Sequence, residues 1–168
     1  MAQNTPAHAD EVLSIAVKQA KAEKKNVLLV FHASWCGWCR KMDASLKDPS
    51  VKPLFDKNYV IADLVVYEHD PAKKSLENPG AAELLKKYNN ADQGLPTWLV
   101  FDQNKNLLAD SQMRPEGADL TTKGENVGCP AAEKEVAHFV KTLKKSSKMT
   151  EKELNEVAAV FRKNEIKR

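Results

Sequence analysis

Apolar residues recur at helical spacing from Ala9 to Lys24, where Val12, Leu13, Ala16, Val17 and Ala20 share one face until the polar Lys24-Lys25-Asn26 ends the run. The period then changes. Val27 to Phe31 is a short unbroken run of β-favouring residues of the kind buried on both faces in a parallel sheet, and it reads as a central strand. A second helix follows Trp35 through Arg40, Lys41, Met42 and Leu46 and stops near Asp48-Pro49. Asp48 is expected to cap a fresh short helix with Pro49 at its first position and Val51, Leu54 and Phe55 inward.

Tyr59 to Tyr67 reads as a second strand, and the polar stretch Glu68 to Pro79 as an exposed loop. Gly80 to Tyr88 is a further helix with Ala81, Leu84 and Leu85 inward. Thr97 to Phe101 and Asn106 to Ala109 are strands, and the tight polar Asp102-Gln103-Asn104-Lys105 between them predicts a β-hairpin. Met113 to Gly128 is a Gly- and Pro-containing loop, and Pro130 to Lys144 is a helix with Val136, Phe139, Val140 and Leu143 on one face. Thr150-Glu151-Lys152-Glu153 has the pattern of a capping box, and Leu154, Val157, Ala158 and Phe161 continue it at helical spacing, so a last packed helix is expected.

A chain of 168 residues with 42% hydrophobic positions is long enough for one core, so a single domain over 1–168 is expected, with its core at about 9–144 and a helical extension at about 150–164. Net charge is only +3, and the basic residues are spread among 23 acidic ones without a Lys/Arg block, which argues against nucleic acid as a partner. No run approaches the roughly 18 apolar residues of a membrane span, so membrane insertion is not expected. The start lacks the basic and apolar regions of a signal peptide, while Ala2-Gln3-Asn4-Thr5-Pro6 has the look of the mature start of an exported protein; a cytoplasmic protein is the alternative.

The three cysteines comprise a Cys36-x-x-Cys39 pair and the isolated Cys129. The pair lies where a buried strand gives way to a helix, so Cys36 falls at a helix N-terminus, where unpaired N–H groups and the macrodipole stabilise a thiolate. Cys36 is therefore the expected nucleophile. Cys39 follows one helical turn later, within reach for a disulfide, and is expected to be the more buried, resolving thiol. Such a pair can also be half of a zinc site, with His32 the nearest extra candidate ligand, but its missing partners and its strand-to-helix setting favour redox chemistry with no metal and no cofactor. Cys129 is expected to pack as a small apolar residue, and His8, His69 and His138 receive no role.

The segment Val27-Leu28-Leu29-Val30-Phe31-His32-Ala33-Ser34-Trp35-Cys36-Gly37-Trp38-Cys39-Arg40-Lys41-Met42 resembles the active-site segment of thioredoxin-family proteins. A second match runs from Asn78 to Tyr88 and on through Gly94-Leu95-Pro96-Thr97-Trp98-Leu99-Val100-Phe101. The resemblance spans most of 9–144 and is most similar to the bacterial branch that includes exported thiol-disulfide interchange proteins. It implies an α/β thioredoxin-like fold: a central mixed β-sheet flanked by helices, here with an added C-terminal helix. It also implies a cis Pro96 facing the disulfide and a Leu95 backbone free to pair with an extended substrate segment. Trp35, Gly37 and Trp38 would form the rim around the thiols.

Where thioredoxins usually carry a buried aspartate six residues before the first cysteine, this chain has Val30. Asp63 lies in the apolar strand Val60 to Val66: either the acid has moved there, buried with a raised pKa and able to accept the proton of Cys39, or Asp63 pairs with a lysine or reaches solvent. The reading is then a thiol-disulfide oxidoreductase, a monomer acting on disulfide- or dithiol-containing protein substrates, as a reductase in a periplasmic setting, with a membrane thiol donor as a possible second partner. The other class consistent with the residues is a non-catalytic module that uses the two thiols to hold a metal or dock a partner.

Overall fold

The computed structural model describes residues 5–165; the first residues of the polar start, 1–4, lie outside them. Helix α1 (Ala9–Glu23) ends at Lys24, which takes the left-handed conformation with φ 59° and turns the chain into β1 (Asn26–His32). Then follow α2 (Gly37–Leu46), α3 (Lys52–Asn58), β2 (Tyr59–Val65), a 3-10 helix (Pro71–Leu76), α4 (Ala81–Lys87), β3 (Thr97–Phe101), β4 (Leu107–Asp110), the short strands β5 (Gln112–Met113) and β6 (Glu125–Asn126), α5 (Glu133–Ser146) and α6 (Glu151–Arg162).

The main sheet has the order β2-β1-β3-β4, with β1 and β2 parallel and the pairs β1/β3 and β3/β4 antiparallel. Because side chains alternate across a strand, β1 sends Leu28 and Val30 into one apolar layer and Val27, Leu29 and Phe31 into the other. β3 divides in the same way, Trp98 and Val100 against Leu99 and Phe101. Phe55, Phe139, Leu154 and Phe161 fill the first layer, while Leu13, Ala16, Leu84 and Leu85 fill the second. Both faces of the central strands are thus covered by helices, which is why β1 is a continuous apolar run and not an alternating one.

Four expectations need correction. Asp48 does not cap α3: its carboxylate accepts the amide and hydroxyl of Ser50 in a tight turn, and Pro53, not Pro49, occupies the first turn of the helix. The second strand ends at Val65, two residues before Tyr67, whose φ of 55° cannot continue a ladder. The polar stretch after it contains the 3-10 helix, whose start Asp70 caps through the amide of Ala72. The stretch Met113 to Gly128 is not all loop, since β5 and β6 pair Gln112 with Asn126 and Met113 with Glu125. The hairpin between β3 and β4 closes through Asp102, whose carboxylate accepts the amides of Asn104 and Asn106. The final helix opens on a capping box, Thr150 Oγ1 accepting the Glu153 amide at 3.2 Å and Glu153 Oε1 accepting the Thr150 amide at 2.8 Å.

Candidate active site

β1 is buried along its length and stops at His32, so the chain leaves the sheet at one fixed point. The turn after it closes when the Cys36 amide donates to the Ala33 carbonyl at 3.2 Å, and α2 begins at the next residue. Cys36 is the N-cap: its Sγ accepts the Cys39 amide at 3.1 Å, so the sulfur occupies the place of a capping oxygen, at the positive end of the helix. Cys36 and Cys39 are joined by a disulfide, with Cα atoms 5.3 Å apart. The expectation that Cys39 is the more buried of the two needs correction, because Cys36 is 3% exposed and Cys39 7%. In the disulfide the Cys36 sulfur is drawn back onto the first turn of α2, where bond and amide both hold it.

Trp35 and Trp38 flank the disulfide and remain 46% and 39% exposed. Trp35 is held from the stretch after β2: its indole N–H donates to the Tyr67 carbonyl at 2.8 Å and its ring stacks on His69 at 4.5 Å. Trp38 carries the Lys41 ammonium 4.3 Å above its ring. Gly37 is exposed, and a methyl group there would meet nothing closer than 3.8 Å, so no close approach requires a glycine. The Leu95–Pro96 peptide bond is cis. Leu95 and Trp38 line one groove of about 310 Å³ together with Gly94, Asn126, Gly128 and Cys129.

On the other side of α2 a cavity of about 560 Å³ brings Cys39 together with Asp63, His32, Asp43 and Arg40. Asp63 is the cross-strand partner of Val30, so its carboxylate enters this cavity from the neighbouring strand. Of the two readings of Asp63 the exposed one holds: the residue is solvent-exposed and not buried, because β2 is the edge of the sheet and the cavity is open. The surrounding protein still raises its pKa by desolvation, His32 opposing the effect, Asp43 adding to it and Lys47 opposing it.

Two residues that the sequence did not single out also act on the site. Glu68, 1% exposed, accepts the Ser34 amide at 2.7 Å and the Ser34 hydroxyl at 2.6 Å, fixing the turn that leads into Cys36. Asn126 donates to the carbonyls of Gly94 and Pro96 on either side of Leu95. These contacts cross thirty or more residues of chain, beyond the reach of a local pattern.

Comparison with known proteins agrees with this geometry. A family model described as thioredoxin-like matches residues 9–103. Protein disulfide isomerase-like 1-1 of Arabidopsis thaliana is 32% identical over 127 residues, which are 68% of this chain and 25% of that protein, so the chain spans about a quarter of the length of this relative. The crystal structure of a disulphide isomerase from Xylella fastidiosa Temecula1 superposes with a TM-score of 0.54 at 20% identity, covering 97% of this chain and 95% of that one. That last likeness is one of fold.

Proposed function

The chain belongs to the thioredoxin-like family, and from that premise we propose that it is a thiol-disulfide oxidoreductase, acting on protein substrates through Cys36 and Cys39 in the reducing direction. The observation that carries the reading is the disulfide itself, set on the first turn of α2 with the Cys39 amide aimed at the Cys36 sulfur. In the reduced protein the same amide and the helix N-terminus favour a Cys36 thiolate over its thiol. That thiolate attacks one sulfur of a substrate disulfide, the other sulfur leaves as a thiolate, and a mixed disulfide forms. The Cys39 thiolate then attacks the Cys36 sulfur, the second substrate sulfur leaves, and the protein is left with the Cys36–Cys39 bond. Two electrons have passed to the substrate. A reduced thiol donor must return them, which in an exported, periplasmic setting is the work of a membrane thiol protein; cell fractionation tests that compartment, and a cytosolic signal would contradict it.

Cys39 must lose a proton before it attacks. Asp63 is the proposed acceptor, because both residues line the same cavity and its raised pKa makes it a stronger base than an ordinary carboxylate. Trp35, Trp38, Gly37, Leu95 and Pro96 form the proposed substrate-facing surface. The proposed domain is a single thioredoxin-like unit with its core at about 9–144, extended by α6.

Insulin reduction driven by dithiothreitol tests these assignments together. Wild-type protein accelerates the reaction, and Cys36→Ser loses roughly all of the acceleration, since no nucleophile remains. Asp63→Asn slows turnover by roughly tenfold or more near pH 6–7 and converges on wild type above about pH 9, where Cys39 ionises without help. The wild-type rate itself declines as pH falls through the raised pKa of Asp63, because the base is then protonated. A Cys36→Ser protein as fast as wild type would contradict the function, and parallel pH profiles would contradict the role of Asp63.

A further inference from the structure

We propose that Asn126 is a positioning residue that sets the substrate-binding conformation of the Gly94-Leu95-Pro96 loop, and that the β5–β6 hairpin exists in this chain as the arm that delivers it. The inference rests on the function proposed above. Asn126 is not near the sulfurs by sequence, and it lies in a stretch without apolar periodicity.

The side-chain amide donates at 2.6 Å to the Gly94 carbonyl and at 3.2 Å to the Pro96 carbonyl. Leu95 lies between these two anchor points. The orientation of the amide is unambiguous, since the reverse would set its oxygen against two carbonyl oxygens. Its own oxygen is buried and has no hydrogen-bond partner among the described residues. An unpaired buried acceptor is unfavourable, so the residue is poorly explained as a general packing or network contact. Its side-chain bonds go to the loop alone.

The arm is rooted in a buried polar cluster. Asp110 and Arg114 form a two-pronged ion pair with both contacts at 2.7 Å, and the two side chains are 0% and 7% exposed. Asp110 also accepts the Gln112 amide, while the Gln112 side chain donates to Asn90 and accepts the Gly124 amide. Gln112 then pairs with Asn126 across β5 and β6. The next residues complete the attachment: the Val127 amide donates to the Ser111 carbonyl, and the Gly128 carbonyl accepts the Trp98 indole N–H at 3.0 Å. The amide is therefore presented to the loop from a rigid base, in the wall of the groove shared by Trp38 and Leu95.

A residue of this kind acts on binding of an extended polypeptide and not on the sulfur chemistry. With insulin as substrate, Asn126→Ala raises KM by about tenfold and changes kcat by less than about twofold, the loss expected for one well-placed contact network. The equilibrium of Cys36–Cys39 with glutathione stays within about twofold of wild type, because the groups that set thiolate stability are untouched. Reduction of dithiobisnitrobenzoate, too small to pair along the loop, slows far less than insulin reduction. Asn126→Asp, the same shape with an oxygen facing the two carbonyls, shows the same KM defect and guards against a failure of Asn126→Ala to fold. An unmoved KM in both variants, or a shifted glutathione equilibrium, overturns the inference alone. Wild-type protein inactive on both disulfides overturns the function, and this inference with it.

Discussion

A buried carboxylate is costly unless it is hydrogen-bonded, and Glu68 meets that condition through Ser34. Burial raises its pKa, but the hydroxyl and amide of Ser34 outweigh it, helped by Lys73 and His32, and the carboxyl stays below its ordinary value. Its anion therefore clamps the entry to Cys36 through neutral and mildly acidic pH. Cys129 is the opposite case. It is 4% exposed, and burial pushes its thiol up to about 12, with Lys41 opposing and Glu135 assisting. The folded protein then holds a proton that the unfolded chain releases from about pH 9 upward, so stability falls across pH 9–12 by up to about 1.4 kcal/mol per pH unit. Urea unfolding of the oxidised protein at pH 8, 9 and 10 measures this, and Cys129→Ala flattens the decline; an equal decline in both proteins would contradict the assignment. At this scale the placement of Cys36 and Cys39 was legible because it is local, set by a strand end and one helical turn. Glu68 and Asn126 were not, because each acts on a distant loop, and the exposure of Asp63 depends on β2 being a sheet edge.

Helix α6 was legible for the same local reason, from its capping box and the spacing of Leu154, Val157 and Phe161. Phe161 is fully buried, 4.8 Å from the Phe139 ring and 6.5 Å from that of Phe55. Just past the helix, Asn164 donates to Ser45 on α2 at 2.9 Å, so the extension also braces the helix that carries Cys39. Phe161→Ala is expected to cost about 3–5 kcal/mol in urea unfolding, whereas a loss below about 1 kcal/mol would show that α6 is not part of the core. The elements that sequence pattern missed are short. The 3-10 helix at Pro71–Leu76 has no buried residue, and β5 and β6 have two residues each, so neither leaves an apolar period to read. Asp48 misled because an aspartate before a proline suits both a helix cap and a turn, and the Ser50 hydroxyl and amide decide for the turn.

In the molecule as a whole, two apolar layers fix the sheet, and the sheet fixes the point where β1 releases the chain into the Cys36 turn. Two segments support the site around it: Tyr67, Glu68 and His69 hold the turn and Trp35, while the β5–β6 hairpin holds the loop at Pro96. Among the described residues no helix is long and apolar enough to cross a membrane. Trapping reads the order of events at the two sulfurs directly. Cys39→Ser protein, reduced and mixed with insulin, should accumulate a mixed disulfide that mass spectrometry places on Cys36, while Cys36→Ser should accumulate none. A covalent adduct on Cys39 in Cys36→Ser protein, with none on Cys36 in Cys39→Ser protein, would contradict Cys36 as the attacking sulfur.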